Sequence, residues 1–154
     1  MTYTDENNLF NLLLKNLPKK THASHNKSGA YSKASVPTSY ALKHNAFIEF
    51  NSKSRTTIAV FDKDTHEGKT ALEYFEDIPN FLEWLMGMID IVPNYICQTN
   101  KGFHFGFAIK GFLNVQKGYN PKNSPEQYLN DINRKYIKHL ELDDKATMRN
   151  NAVF

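Results

Sequence analysis

The sequence predicts an α+β domain, an RRM-like mixed or antiparallel sheet with helices packed on one face. Two strand-like runs, Thr56 to Phe61 and Phe103 to Ile109, lie on either side of a helical segment. Tyr95 to Gln98 and Phe103 to Ile109 flank Thr99-Asn-Lys-Gly102, a hairpin turn with glycine at its end. The helical stripe Phe81, Leu82, Leu85, Met86 and Ile89 is too broad for a solvent-facing helix, so it needs a sheet to cover.

Taken along the chain, Leu9, Phe10, Leu13, Leu14 and Leu17 fall on one helical face, with Asp5 or Asn7 to cap the start and Pro18 just past the end. Lys19 to Thr38 is polar and basic, a long loop or arm. Phe47 to Phe50 and Thr56 to Phe61 are strands that the turn-like cluster Asn51 to Ser54 could join as a hairpin. Asp64 to Lys69, with Gly68, is a polar loop. Asp77 and Pro79 then open the helix that carries the broad stripe. Ser124 caps a last helix beginning Pro125-Glu-Gln127, with Gln127 in the capping-box position and Tyr128, Leu129, Ile132, Tyr136, Ile137 and Leu140 on its apolar face. Residues 1–46 form an N-terminal helix and basic arm, and residues 47–154 the core. That core is expected to be incomplete at its C-terminal end, since Ala152 to Phe154 opens like another strand.

Composition sets the class. With 154 residues, 40% apolar and 23% charged, the chain is one globular domain. A net charge of +3 permits a polyanionic partner without demanding one. Cys97 is the one cysteine, which excludes an intrachain disulfide and a cysteine-based zinc site; it reads as a small buried residue. No apolar run approaches a membrane span and no secretory leader is recognisable, so a cytoplasmic protein is expected, with no membrane partner.

The chemistry is concentrated in two runs. Thr57-Ile-Ala-Val-Phe-Asp-Lys-Asp64 ends in two acids one residue apart, and residues two apart on a strand share a face. Asp62 and Asp64 would therefore stand side by side and repel unless a cation lay between them. Carboxylate oxygens are the ligands that Mg²⁺ takes. The bland alternative is a turn cap and a solvated acid. In the second run, Phe103, Phe105 and Phe107 alternate with His104, Gly106 and Ala108, so one face goes to the core and the other leaves His104 among small neighbours. Carboxylates, a metal and a phosphate-binding group suit phosphoryl and nucleotidyl transfer. No Gly-X-Ser-X-Gly elbow and no complete phosphate-binding glycine loop competes with this reading. The scattered histidines show no zinc spacing.

Ala59-Val-Phe-Asp-Lys-Asp64, Pro93-Asn-Tyr-Ile-Cys97 and Asn100-Lys-Gly-Phe-His-Phe-Gly-Phe-Ala-Ile109 together resemble the archaeo-eukaryotic primase superfamily, and within it the replicase branch of ColE2-type plasmid initiators. Tyr136 to Asn151 also looks like that branch. The resemblance implies that Asp62 and Asp64 are catalytic and hold Mg²⁺ or Mn²⁺. It implies that Gly102-Phe-His104 is the element whose histidine grips the phosphates of a nucleoside triphosphate, with Lys101 adding charge. A third acid is called for. Glu141, Asp143 and Asp144 are candidates, but they follow a helix rather than lying in an apolar strand. The implied activity is metal-dependent nucleotidyl transfer in DNA replication, by a primase-polymerase or plasmid replication initiator. DNA would lie against Lys19, Lys20, Lys27 and Lys33 of the arm, and other replication proteins would be partners. A non-catalytic DNA-binding or replisome-interaction domain that keeps the fold, and a metal-dependent nuclease, remain alternatives.

Overall fold

A computed structural model describes residues 6–25, 35–44, 47–52, 54–114 and 122–143. In chain order the elements are α1 (Glu6–Asn16), β1 (Lys20–Thr21), β2 (Ala23–Ser24), β3 (Val36–Pro37), α2 (Thr38–His44), β4 (Phe47–Ile48), β5 (Arg55–Lys63), β6 (Thr65–His66), β7 (Lys69–Thr70), α3 (Ala71–Phe75), α4 (Ile78–Met88), β8 (Tyr95–Gln98), β9 (Phe103–Leu113) and α5 (Pro125–Leu140). The class is α+β with antiparallel sheets, as the sequence predicts. Among the described residues no helix is long and apolar enough to cross a membrane.

The chain divides into two compact units, and the division falls within β5 and β9. Among the described residues, the first comprises those up to 58 and residues 108–114, the second residues 59–107 and 122–143.

In the second unit β9 is the central strand of the order β5-β9-β8. It pairs antiparallel with β8, setting Tyr95 opposite Gly106 and Cys97 opposite His104. The backbone of β5 closes on the glycines of β9: a Cβ on Gly106 would lie 3.0 Å from the Ala59 carbonyl, and one on Gly102 would lie 2.0 Å from the Lys63 carbonyl. Residue numbers fall along β9 as they rise along β5, so this pair is antiparallel too. One face is phenylalanine. Phe61 stacks on Phe105 at 5.4 Å, Phe81 of α4 stacks on Phe103 at 4.5 Å, and Tyr136 of α5 meets Phe61 edge-on at 5.7 Å. Each such pair adds roughly 0.5–1.5 kcal/mol beyond the area it buries, so α4 and α5 are held on this face and not the other. Their caps are those written in the sequence: Asp77 accepts from the Asn80 amide, and Ser124 from the Gln127 amide.

Three expectations are corrected here. The segment Asp64 to Lys69 is not a loop but the hairpin β6–β7, turned by Glu67 and Gly68 with φ of 48° and 79°. Two successive positive φ values are what a tight type I′ turn requires. Helix α3 is an extra element, held by a full capping box between Thr70 and Glu73. Cys97 is half-buried, not buried.

In the first unit the segment Lys19 to Thr38 is more than an arm. Its ends pair as β1 with β3, β2 within it pairs with β4 beyond it, and α2 begins at Thr38. Thr38 ties that start down, its amide donating to the Lys19 carbonyl and its hydroxyl to that of Pro18. Strand β4 therefore pairs with β2, not in a hairpin with β5. Asn51 organises the chain between them: its side chain donates to the Ile58 carbonyl at 2.8 Å and accepts from the Thr57 and Ile58 amides. The core includes Leu13, Leu17, Ala41, Ile48, Phe50 and Ile58, and Leu13 and Leu17 belong to the expected apolar face of the first helix.

Candidate functional site

Side chains alternate along β5, so Phe61 and Lys63 point to the helical face while Asp62 points to the opposite one. On β9 the same rule sends Phe103 and Phe105 under the helices and His104 and Gly106 to the open face. Two observations join these residues. The Tyr95 ring packs against Gly106, where a Cβ would meet it at 2.3 Å, and lies 6.2 Å from the His104 ring. The Tyr95 hydroxyl is held well above its ordinary pKa by burial first, then by Cys97 and by the negative charge of Asp62. Asp62, Tyr95, Cys97, His104 and Gly106 thus share one face, with Asp62 and His104 half-buried. Tyr95 keeps its proton at neutral pH. Burial also raises the Cys97 pKa, so this thiol is no thiolate nucleophile.

A third acid, Asp143, comes beside Asp62 and Asp64. One carboxylate oxygen from each of Asp62, Asp64 and Asp143 lies within 4.8 Å of the others, and all three residues are half-buried. The local chain explains how a residue beyond a helix arrives there. Helix α5 ends at Glu141, which adopts the left-handed conformation at φ 53°. The Leu142 amide bonds back to the Ile137 carbonyl at 3.0 Å, as in a Schellman-type termination. The chain is thereby turned, Leu142 is buried, and the Asp143 amide donates to the Asp62 carbonyl at 2.9 Å.

Lys63, between the two strand acids, secures the turn from the other face. Its side chain is fully buried, and Nζ donates to the carbonyls of Leu140 and Glu141 at 2.7 and 3.2 Å. The ammonium also lies 5.3 Å from the centre of the Trp84 ring. Burial outweighs the attraction of Glu141 and pulls the Lys63 pKa down to about 8. Glu141 is drawn away from the acids, its carboxylate 3.8 Å from Lys63 Nζ and 3.5 Å from His66 Nδ1. Of the candidate third acids, Glu141 thus belongs to the Lys63 side, and Asp144 lies outside the described residues.

Helix α3 fixes the other end of the site. Its Ala71 amide donates to the Asp64 carbonyl at 2.8 Å, and its Leu72 amide to the Lys101 carbonyl at 2.9 Å. Lys101 is exposed in the β8–β9 turn. Lys19 and Lys20 belong to the first unit, both exposed, while Lys27 and Lys33 lie outside the described residues.

The donor set is all carboxylate oxygen, which suits a hard divalent cation such as Mg²⁺ or Mn²⁺. Three ionised carboxylates at this separation repel by roughly 1 to 3 kcal/mol per pair across surface-like dielectrics, and a divalent ion turns that repulsion into attraction. No protein-family model matches the chain, and no curated protein or solved structure matches it.

Proposed function

We propose that the chain carries the catalytic site of a metal-dependent nucleotidyltransferase of the primase-polymerase kind, resembling the plasmid-initiator branch of the archaeo-eukaryotic primases. The observation that carries this reading is the approach of Asp143 to Asp62 and Asp64 on the sheet face that also bears His104. Asp62, Asp64 and Asp143 would hold Mg²⁺ or Mn²⁺, which would offset part of the triphosphate charge and lower the pKa of the attacking 3′-hydroxyl. His104 donates to a phosphate oxygen, and Lys101 adds positive charge at the turn. The 3′-hydroxyl gives its proton to water, its oxygen bonds to the α-phosphorus, the bond from that phosphorus to the bridging oxygen breaks, and pyrophosphate leaves in line. DNA is the template, held through its phosphates by basic residues including Lys19 and Lys20, so binding weakens with salt. The setting is DNA replication in the cytoplasm, alongside other replication proteins.

The third carboxylate favours this reading over a non-catalytic DNA-binding domain, which has no use for a converging acid set. The test is primer extension with Mn²⁺ and nucleoside triphosphates. Product that disappears in Asp62→Asn supports transfer. Metal-dependent cutting of DNA without any triphosphate would replace it with a nuclease. Stabilisation by DNA alone, with neither extension nor a metal response, would replace it with the non-catalytic domain.

A further inference from the structure

The first unit holds a polar pocket that the acidic site does not use. It is a cavity of about 240 Å³ whose lining includes Lys20, His22, Ser35, Glu49 and Ser54. Its base is built from buried polar side chains: Thr21, Glu49 and Asn51 are 3%, 5% and 4% exposed. These groups are engaged with the protein. The Thr21 hydroxyl donates to the Glu49 carbonyl, the Asn51 amide group is taken up by Ile58 and Thr57, and the Glu49 carboxylate meets His22 Nδ1 at 2.6 Å. Removing a carboxylate from water is expensive unless a partner compensates it, and His22 is that partner.

The pair has a chemical consequence. A histidine held by a carboxylate at Nδ1 has its ring direction fixed, and in its doubly protonated form the Nε2–H is left to donate to a ligand. His22 is partly exposed, so the ring is anchored on one side and open on the other. Lys20 lines the same pocket, is exposed, and makes no ion pair among the described residues. The Glu49 carboxylate is bonded to His22, and the Lys20 ammonium stands exposed in the same lining, with Ser35 and Ser54. A lysine, an oriented imidazolium and hydroxyl donors form a set for oxyanions. The volume limits the ligand further. Clefts that enclose whole drug-sized molecules run from roughly 300 to 1,000 Å³, so this one takes a group and not a large molecule.

We infer that this pocket binds a phosphate ester group, with Lys20 and His22 as its binding arms and Glu49 as the buried support of His22. The group has two sources, a free phosphate monoester or the backbone of a single-stranded nucleic acid, and both present the same oxygens. The nucleic-acid arm rests on the DNA contact proposed for Lys20, while the pocket itself stands apart from the acidic site and survives if that site proves to hold no metal.

The experiment is titration of the full chain in EDTA, which removes any route through divalent ions at the carboxylates. One arm uses inorganic phosphate and a deoxynucleoside monophosphate, the other a short single-stranded oligodeoxynucleotide. Saturable binding is expected in at least one arm, and the arm that binds names the source. Lys20→Met should weaken it roughly tenfold or more, the loss expected for one charge-assisted hydrogen bond. His22→Gln should weaken it as well. Because Lys20 is exposed, its replacement leaves the fold intact and keeps the test decisive. Absence of binding in both arms, or an affinity indifferent to Lys20→Met, overturns the proposal.

Discussion

Lys63 reaches through the core of its unit to place its ammonium 2.7 Å from the carbonyl of Leu140. A charged group is thus spent on the end of α5, at a point where the chain must turn before Asp143. The lysine is flanked by Asp62 and Asp64 in sequence but faces away from them. It ties the end of β5, next to Asp62 and Asp64, to the end of α5, beyond which lies Asp143.

This burial has a pH signature. The Lys63 pKa falls from 10.5 to about 8 on folding. The unfolded chain therefore holds this proton more tightly between those values, and stability rises with pH across the window. Equivalently, the stability tied to Lys63 is fully present above 10.5 and is lost as pH falls through about 8. Comparing urea unfolding of the wild type with Lys63→Met at about pH 7 and about pH 10 should show the wild type gaining on the order of 2 kcal/mol relative to the variant. A difference between the two proteins that stays constant with pH would mean that Lys63 is not held in a desolvated site.

The acid cluster predicts two effects of opposite sign from one substitution. Asp143→Asn keeps the shape and removes one of three mutually repelling charges. Without metal, the variant should be more stable by about 0.5–1 kcal/mol, a discounted share of the repulsion because the groups are half exposed. With Mn²⁺ at about 100 times its Kd, the wild type should gain about 3 kcal/mol while the variant gains little. Thermal unfolding with and without Mn²⁺ reads both. A variant that is less stable without metal, or one that keeps the full metal response, would remove Asp143 from the site.

What could be read from the sequence follows from the range over which each signal acts. Alternating phenylalanines in Phe103 to Phe107 and the aliphatic run into Asp62 mark one-sided strands, and the caps Asp77 and Ser124 mark helix starts. These are contacts within a few residues of chain. The pairings β1–β3 and β2–β4 are two residues long and carry no period, so tertiary context alone creates them. The capping box Thr70-Ala-Leu-Glu73 is a local signal that does announce α3, but the helix is one turn long and sits inside a polar stretch. Asp143 was among the candidates, yet its place in the site depends on the left-handed turn at Glu141 and the bond to Asp62. A glutamate in a conformation that favours glycine gives no warning of itself. The support of His22 by Glu49, 27 residues away, is equally invisible to spacing.

His104 and the acids share a face but have different expected duties, and the two separate experimentally. Mn²⁺ alone should stabilise His104→Gln as well as it does the wild type, because the carboxylates are intact. The further stabilisation by a nucleoside triphosphate in the presence of Mn²⁺ should fall by roughly 1.5–3 kcal/mol, the range for a hydrogen bond to a charged group. In Asp62→Asn both increments should be lost. A His104→Gln variant that binds Mn²⁺-triphosphate as the wild type does would reduce the histidine to a packing residue beside Tyr95.

Gly102 and Gly87 give a paired test of how closely the β5 backbone is held at the site. A methyl group on Gly102 would lie 2.0 Å from the Lys63 carbonyl oxygen and 2.9 Å from the Ala71 Cβ. The first neighbour is backbone between the two strand acids, and the second is the start of α3, which also holds Asp64. Neither can yield alone, so Gly102→Ala must shift the end of β5. Overpacking of this kind costs about 1–3 kcal/mol, and more where backbone must move. The shift should also weaken the Mn²⁺ response, because Asp62 and Asp64 flank the displaced carbonyl. Gly87, in α4, meets nothing within 4 Å on addition of a Cβ. There Gly87→Ala should stabilise by roughly 0.5–1 kcal/mol through helix propensity and reduced unfolded-state freedom. Urea unfolding and Mn²⁺ titration of the two variants check both halves. Gly102→Ala with unchanged stability would show that the strand has room the packing denies. A destabilised Gly102→Ala with an undiminished metal response would show that the acids do not depend on this carbonyl for their placement.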